Sequence, residues 1–219
     1  MSSTNRGADR NIRDYYGTPA HAYQLLDPLL PRDVCFWEPA CGDGRIITWL
    51  RSTGRSADGG DIEPQHVEFS AINFLHDETR REFIITNPPF SAGIEFVDHA
   101  VQVSPEVLML LPLNFAGSKR RHHWFRAHPP AAQFILSERP DFTGAGGDSI
   151  DYAWWYWGPR YTGMHWPSPA KSWKPAKHPG FLLWPDPASL ITEAAPSVSA
   201  ALFESGGIKT ATPQCTAPK

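Results

Sequence analysis

Along the 219 residues, short unbroken apolar runs alternate with stretches whose apolar positions recur every three or four residues. Val34-Cys35-Phe36-Trp37, Phe83-Ile84-Ile85-Thr86 and Val107 to Leu113 are continuous runs of strand length, as expected for strands buried on both faces. Between them, Pro19 to Leu30, Arg45-Ile46-Ile47-Thr48-Trp49-Leu50 and Ile94 to Val101 carry helical spacing. This alternation predicts an α/β chain with a doubly wound, mostly parallel sheet. Two more strand-like stretches lie between Gln133 and Trp157, on either side of the glycine-rich segment 143–149. In Trp154-Trp155-Tyr156-Trp157, alternation sends Trp154 and Tyr156 to one face and Trp155 and Trp157 to the other, so these rings read as core.

After Gly158 the pattern stops. Ten prolines fall between Pro159 and Pro218 and apolar runs are few. The chain therefore divides into a polar arm (1–11), one domain (12–160) and a proline-rich appendage (161–219) whose end is expected to be disordered. Its length suits one α/β core and not two full domains. The polar start Met1-Ser2-Ser3-Thr4-Asn5-Arg6 leads to no apolar targeting segment, and no apolar run approaches the roughly 20 residues of a membrane span. A soluble chain with no membrane partner follows. The three cysteines, Cys35, Cys41 and Cys215, form neither an even set nor a CxxC pair. That argues against disulfides and zinc, and for a reducing cytoplasm with no metal requirement.

The chemistry concentrates at two strand ends. The run ending at Thr86 gives way to Asn87-Pro88-Pro89-Phe90. Each proline fixes φ near −65° and donates nothing, so an amide side chain and a backbone carbonyl are held rigidly. The Asn87 amide oxygen and a carbonyl of the Pro88-Pro89 turn are suited to accept from a planar NH2 group, with Phe90 on the face of the ring that carries it. The first strand is followed by Glu38-Pro39-Ala40-Cys41-Gly42-Asp43-Gly44. Gly42 and Gly44 let the backbone approach a ligand, and the loop has acids where a phosphate cradle has a Lys. A cationic amino acid or sulfonium group fits it better than a phosphate, with Glu38 or Asp43 as its partner. Ala57-Asp58-Gly59-Gly60-Asp61-Ile62 ends in an acid where a βαβ fold places its ribose-binding carboxylate, which makes Asp61 the candidate and Glu63 the second.

Glu-Pro-Ala-Cys-Gly-Asp-Gly, Asp61-Ile62-Glu63-Pro64, Asn73-Phe74-Leu75 and Asn87-Pro88-Pro89-Phe90, in that order, resemble the class I S-adenosylmethionine-dependent methyltransferases that act on amino nitrogens. Among these the chain is most similar to the small DNA adenine-N6 methyltransferases of phages and mobile elements, over roughly residues 12 to 160. The resemblance implies a seven-stranded Rossmann-like methyltransferase sheet closed by an antiparallel C-terminal hairpin, and S-adenosylmethionine as cofactor. It implies cofactor binding by Tyr16, Thr18 and Pro19 of Tyr15-Tyr16-Gly17-Thr18-Pro19, by Glu38, Ala40, Cys41, Gly42 and Gly44, and by Asp61. Ile62 and Phe74 would flank the adenine. Asn73 stands where relatives carry an acid, and its carbonyl can still accept from the adenine amine. Asn87, Pro88, Pro89 and Phe90 would be the catalytic loop. Phe142, with Tyr152 or Trp154, would wall the pocket of a flipped base.

A net charge of −3 gives no general attraction to phosphates, yet residues 119–178 hold nine Lys/Arg against four Asp/Glu. Lys119, Arg120, Arg121, Arg126 and Arg139 are the candidate nucleic-acid contacts, with Arg160, Lys171, Lys174 and Lys177 extending the surface, and Trp124 and Phe125 either packing beneath or stacking on bases. Double-stranded DNA in a bacterial or phage-infected cell is the expected partner. Cytosine N4, an RNA base or a protein glutamine presents the same planar NH2 and stands as the alternative substrate, and a non-catalytic nucleic-acid-binding module is the alternative to an enzyme.

Overall fold

Residues 17–142 and 149–165 are described by the structure, a computed structural model. Tyr16, the arm before it, segment 143–148 and the appendage from residue 166 lie outside them. The apolar runs form strands where periodicity places them: β1 (Cys35–Glu38), β4 (Phe83–Thr86) and β5 (Val107–Pro112), joined by β2 (Ser56–Asp61), β3 (Ser70–Ala71), β6 (Ala132–Ile135), β7 (Tyr152–Trp157) and β8 (Gly163–His165). The helices are α1 (Ala20–Gln24), α2 (Arg45–Ser52), α3 (Gly93–Val103) and α4 (Lys119–Ala127).

The strands make one sheet in the order β3-β2-β1-β4-β5-β7-β6-β8. The seven expected strands are present, parallel except for β7, which runs antiparallel to both β5 and β6 and forms the expected hairpin with β6. A short eighth strand adds to the β6 edge in parallel, carrying the sheet past residue 160. The chain steps outward from β1 through β2 to β3, then returns to place β4 on the other side of β1. Connections leaving β1 and β4 thus diverge, and a crevice opens at the carboxyl ends of these two strands.

Both faces of the sheet are covered. Phe36, Phe83, Ile85, Leu108, Leu110, Trp154 and Tyr156 pack with α1 and α2, while Ile84, Val107, Met109, Leu111, Trp155 and Trp157 pack with α3 and α4. The tryptophans of β7 alternate as expected, and each indole N–H finds a carbonyl: Trp154 on Ala22, Trp155 on Leu111 and Trp157 on His128. Cys41 is a buried free thiol.

The helix expected over 19–30 shrinks to Ala20–Gln24 followed by turns. Pro28 is the reason, since it disfavours helical backbone at Asp27 and brings no N–H of its own. The carbonyls of the turns that follow are collected by Arg55, whose side chain is only 1% exposed. Its guanidinium donates to the carbonyls of Asp27, Leu30 and Pro31 and to the Asp27 carboxylate at 2.6 Å. Arg55→Met should cost about 3 kcal/mol of stability, because it strands several of these acceptors. A urea midpoint matching the wild type would contradict that assignment.

Candidate active site

The crevice beyond β1 and β4 holds a cavity of about 470 Å³. Its first wall is the loop from Glu38 to Gly44, folded by two left-handed glycines, Gly42 (φ 51°) and Gly44 (φ 74°). A Cβ on Gly44 would fall 2.3 Å from the Phe69 ring, so no other residue fits there. The loop is laced to β2: Cys41 N donates to the Gly60 carbonyl (3.1 Å) and Gly42 N to Asp61 Oδ2 (3.0 Å). Asp61 Oδ1 accepts from Glu63 N (3.0 Å), so this carboxylate organises both the glycine loop and the turn after β2.

Glu38 lies at the floor, 3% exposed, and accepts from the backbone N–H of Ile47 in the first turn of α2. An acid there completes the amino end of the helix. Its other oxygen, Oε2, is buried and meets no hydrogen-bond donor among the described residues. Burial, and then the charges of Asp43 and Asp61, hold the Glu38 carboxyl well above its ordinary value, with the Ile47 N–H acting in the opposite direction. Burial and the neighbouring Glu38 and Asp61 likewise push the Cys41 thiol up, which leaves it inert. Among the described residues, Glu38, Asp43, Asp61 and Glu63 all line the cavity against a single cation, Arg45, whose Nε lies 2.5 Å from Asp43 Oδ2. The electrostatics favour a cationic ligand.

Ile62 lines the cavity with 69% of its surface exposed, an apolar side chain offered to a ligand. Opposite in kind, Phe74 is core: it packs on Phe96 and meets His99 edge-on, and only the edge of this cluster reaches the cavity. Asn73 also lines it, with its Oδ1 capping the short 3-10 turn Phe74–His76 through Leu75 N (3.2 Å).

The remaining wall is Asn87-Pro88-Pro89-Phe90. The Asn87 Nδ2 donates to Thr18 Oγ1 at 3.1 Å. The Pro89 carbonyl is used by Ala92 N in a tight turn, whereas the Pro88 carbonyl meets no backbone N–H of the described residues. Phe90 packs against Phe142 (5.6 Å, edge-on) and Tyr152 (5.8 Å), and those two rings meet at 5.2 Å. Of the two partners weighed for Phe142, Tyr152 is the one in contact, while Trp154 is fully buried core.

Of the residues singled out from sequence, Thr18, Glu38, Ala40, Cys41, Gly42, Asp61, Ile62, Asn73, Phe74 and all of Asn87 to Phe90 border this one cavity. Pro19 and Gly44 do not; Pro19 caps α1 and Gly44 caps α2. Tyr16 lies outside the described residues. Arg45, Gln65, Ile72 and Phe96 also line the cavity and were not anticipated. Gln65 arrives through its backbone bond to the Gly42 carbonyl, 3.2 Å, a contact between loops with no local pattern to announce it.

The basic segment forms α4, with Ser118 as N-cap. Trp124 and Phe125 pack beneath: Trp124 Nε1 donates to Asp98 (2.6 Å), and Phe125 meets Phe115 and Trp155. Arg121 is spent locally, its guanidinium over the Phe115 ring at 4.2 Å and donating to the Phe115 carbonyl. Arg139 pairs with Asp151 at 2.7 Å. Lys119 and Arg126 stand exposed on α4. The side chain of Arg120 is outside the described set. Among the described residues no group of His, Cys, Asp and Glu is arranged to hold a metal, and no helix is long and apolar enough to cross a membrane.

Because Glu38 keeps its proton in the folded chain above 4.5, where the unfolded chain releases it, its contribution to stability is full below that pH and declines as pH rises through the raised value. Glu38→Gln keeps the shape without the titration. Thermal melts of the ligand-free protein should therefore fall less steeply above about pH 5 in Glu38→Gln than in the wild type. Parallel slopes would show that Glu38 ionises freely.

No protein-family model and no curated protein matches the sequence. Solved structures match by fold. A candidate RNA methyltransferase from Pyrococcus horikoshii superposes with a TM-score of 0.51 at 14% identity, covering 66% of this chain and 87% of the other. The M protein of the type I restriction enzyme EcoKI gives 0.49 at 12% identity, covering 67% and 44%. A candidate class I S-adenosylmethionine-dependent methyltransferase from Listeria monocytogenes gives 0.48 at 12% identity, covering 67% and 63%. The chain therefore shares its fold with a solved candidate methyltransferase.

Proposed function

We propose that this chain transfers a methyl group from S-adenosylmethionine to a planar exocyclic amine, the N6 of adenine in double-stranded DNA, with the base extruded onto the Asn-Pro-Pro-Phe loop. One observation carries the reading: a single cavity is bordered on one side by acids suited to a cation and on the other by a proline-stiffened amide and the ring of Phe90, which Phe142 and Tyr152 back. The residues present fit the cofactor. Asp43 and Asp61 supply negative charge for its ammonium and sulfonium groups, and beside such a cation the Glu38 carboxyl, whose Oε2 meets no donor among the described residues, would give up its proton and join them. Gly42 permits close approach, and exposed Ile62 offers an apolar face to the adenine.

When bound, the cofactor supplies an electrophilic methyl group. The chain's own residues hold the acceptor. Asn87 Oδ1 and the Pro88 carbonyl accept the two N6 hydrogens, which draws the amine lone pair out of conjugation with the ring. Phe90, backed by Phe142 and Tyr152, holds the base plane. No side chain has to act as a strong base, since the amine becomes acidic as it is alkylated. The acceleration rests on positioning and on preorganised acceptors.

The α4 helix supports a polyanionic partner. Lys119, Arg120 and Arg121 sit in its first turn with no acid, against the helix dipole. Each such charge costs about 0.3–1 kcal/mol, a sacrifice that a phosphate partner would offset. Of the five basic residues singled out, exposed Lys119 and Arg126 are the best placed for this role. Arg121 and Arg139 already serve Phe115 and Asp151.

Labelled methyl transfer from S-adenosylmethionine to duplex DNA, single-stranded DNA and RNA, with nucleoside analysis, tests the proposal directly. N6-methyladenine in DNA is the expected product, and label confined to RNA or protein would move the substrate. Asn87→Ala should lower transfer by about 10²- to 10³-fold while cofactor affinity stays within a few-fold. Lys119→Ala with Arg126→Ala should reduce the slope of log affinity against log salt by nearly 2 if both contact phosphates. An unchanged slope would remove α4 from the interface.

A further inference from the structure

The prolines of the catalytic loop fix its backbone but leave one freedom open. The terminal torsion of an asparagine is broad and roughly two-fold, so the Asn87 amide can present either its oxygen or its NH2 on a given side at nearly equal steric cost. Only the oxygen can accept from an amine. Some second group must therefore select the orientation, and the structure contains one. Asn87 Nδ2 donates to Thr18 Oγ1 at 3.1 Å across 69 residues of sequence.

Thr18 is itself held firmly. It is 7% exposed and borders the cavity. Pro19 caps α1 with its carbonyl on Ala22 N (2.9 Å), and the Ala22 carbonyl in turn accepts from Trp154 Nε1 (2.6 Å), a fully buried indole of β7. On the other side, a Cβ on Gly17 would lie 2.8 Å from the Arg45 guanidinium carbon, so the segment is pressed against the glycine-loop wall. A line of bonded contacts runs from the central sheet through Trp154, Ala22, Pro19 and Thr18 to the amide of Asn87.

We propose that Thr18 is a positioning residue for methyl transfer, one that accepts from Asn87 Nδ2 and so holds the amide in the orientation that leaves its oxygen, and not its NH2, to meet the substrate amine. This rests on the methyltransferase reading above and extends it to a residue outside the Asn-Pro-Pro-Phe loop. A hydroxyl at this site is required for its acceptor lone pair, so serine suffices and valine, of the same shape, does not.

The test uses the full chain as wild type, Thr18→Val and Thr18→Ser. The side-chain NH2 signals of Asn87, identified by their loss in Asn87→Ala, are followed by NMR. In parallel, single-turnover methyl transfer to duplex DNA is measured over a range of S-adenosylmethionine concentrations up to saturation, where the rates are compared. The expected result is faster NH2 exchange and a rate lower by about 10- to 100-fold in Thr18→Val, with Thr18→Ser within about threefold of wild type on both readouts. NH2 signals that do not respond to Thr18→Val overturn the proposal, and so does a rate deficit that excess cofactor repairs, which would make Thr18 a cofactor ligand alone. Signals that respond while the wild-type chain transfers no methyl locate the failure in the methyltransferase reading and remove the catalytic role with it.

Discussion

The site depends on how closely the loop after β1 lies against β2. A Cβ on Gly59 would fall 2.6 Å from the Glu38 carbonyl and 3.2 Å from Cys41 Cβ, and one on Gly60 would fall 2.5 Å from Ile72 and 2.9 Å from the Ser70 carbonyl. Two adjacent glycines in the middle of a strand are costly to strand stability. Here they let three backbone segments converge. The glycine loop, β2 and the start of β3 share a spacing that no side chain would tolerate, and the cavity wall is the outcome. Asp61 then fastens the arrangement by accepting from Gly42 N and Glu63 N with its two oxygens.

Once that backbone is in place, the electrostatics follow. Glu38 must point beneath α2, since its neighbours in β1 are packed on both sides and Ile47 N offers the one described donor. A carboxyl so placed carries an unsatisfied oxygen and an upward-shifted ionisation, a local cost that a packed core would not accept without cause. The cost becomes intelligible if a cation settles beside it. Burial and ligand charge oppose each other at this residue, so the site is least comfortable when empty.

Much of this was legible in the sequence, and the exceptions share a cause. Continuous apolar runs marked β1, β4 and β5 because strands buried on both faces leave no room for alternation. Alternation did sort the β7 rings correctly, since the two faces of one strand are a local matter. The loops at residues 38–44 and 87–90 announced themselves through glycines and prolines, whose backbone constraints are intrinsic. What escaped was long-range. The helix after Pro19 stops early because Pro28 has no N–H with which to continue it, and Arg55, 28 residues from Asp27, takes up carbonyls of the turns beyond. Arg121 looked like a phosphate ligand until Phe115 claimed it, and Gln65 and Phe96 entered the cavity by tertiary contact alone. Spacing in sequence holds no record of such pairings.

Charge is segregated within a chain that is nearly neutral overall. The cavity gathers four acids against one cation, while the first turn of α4 gathers three cations with no acid. These two regions are mechanically close. Phe115, which lies under Arg121, also lies 3.0 Å from where a Cβ on Gly93 would be, and Gly93 opens the helix that follows the Asn-Pro-Pro-Phe loop. On the proposed reading, a polyanion drawn to α4 would be repelled by the acidic cavity, whereas a neutral base would carry no such penalty. A cationic cofactor sorts the opposite way, away from α4 and into the cavity. On that reading the same distribution of charge would sort the two substrates to different places, and the amide of Asn87 borders the cavity where they would meet.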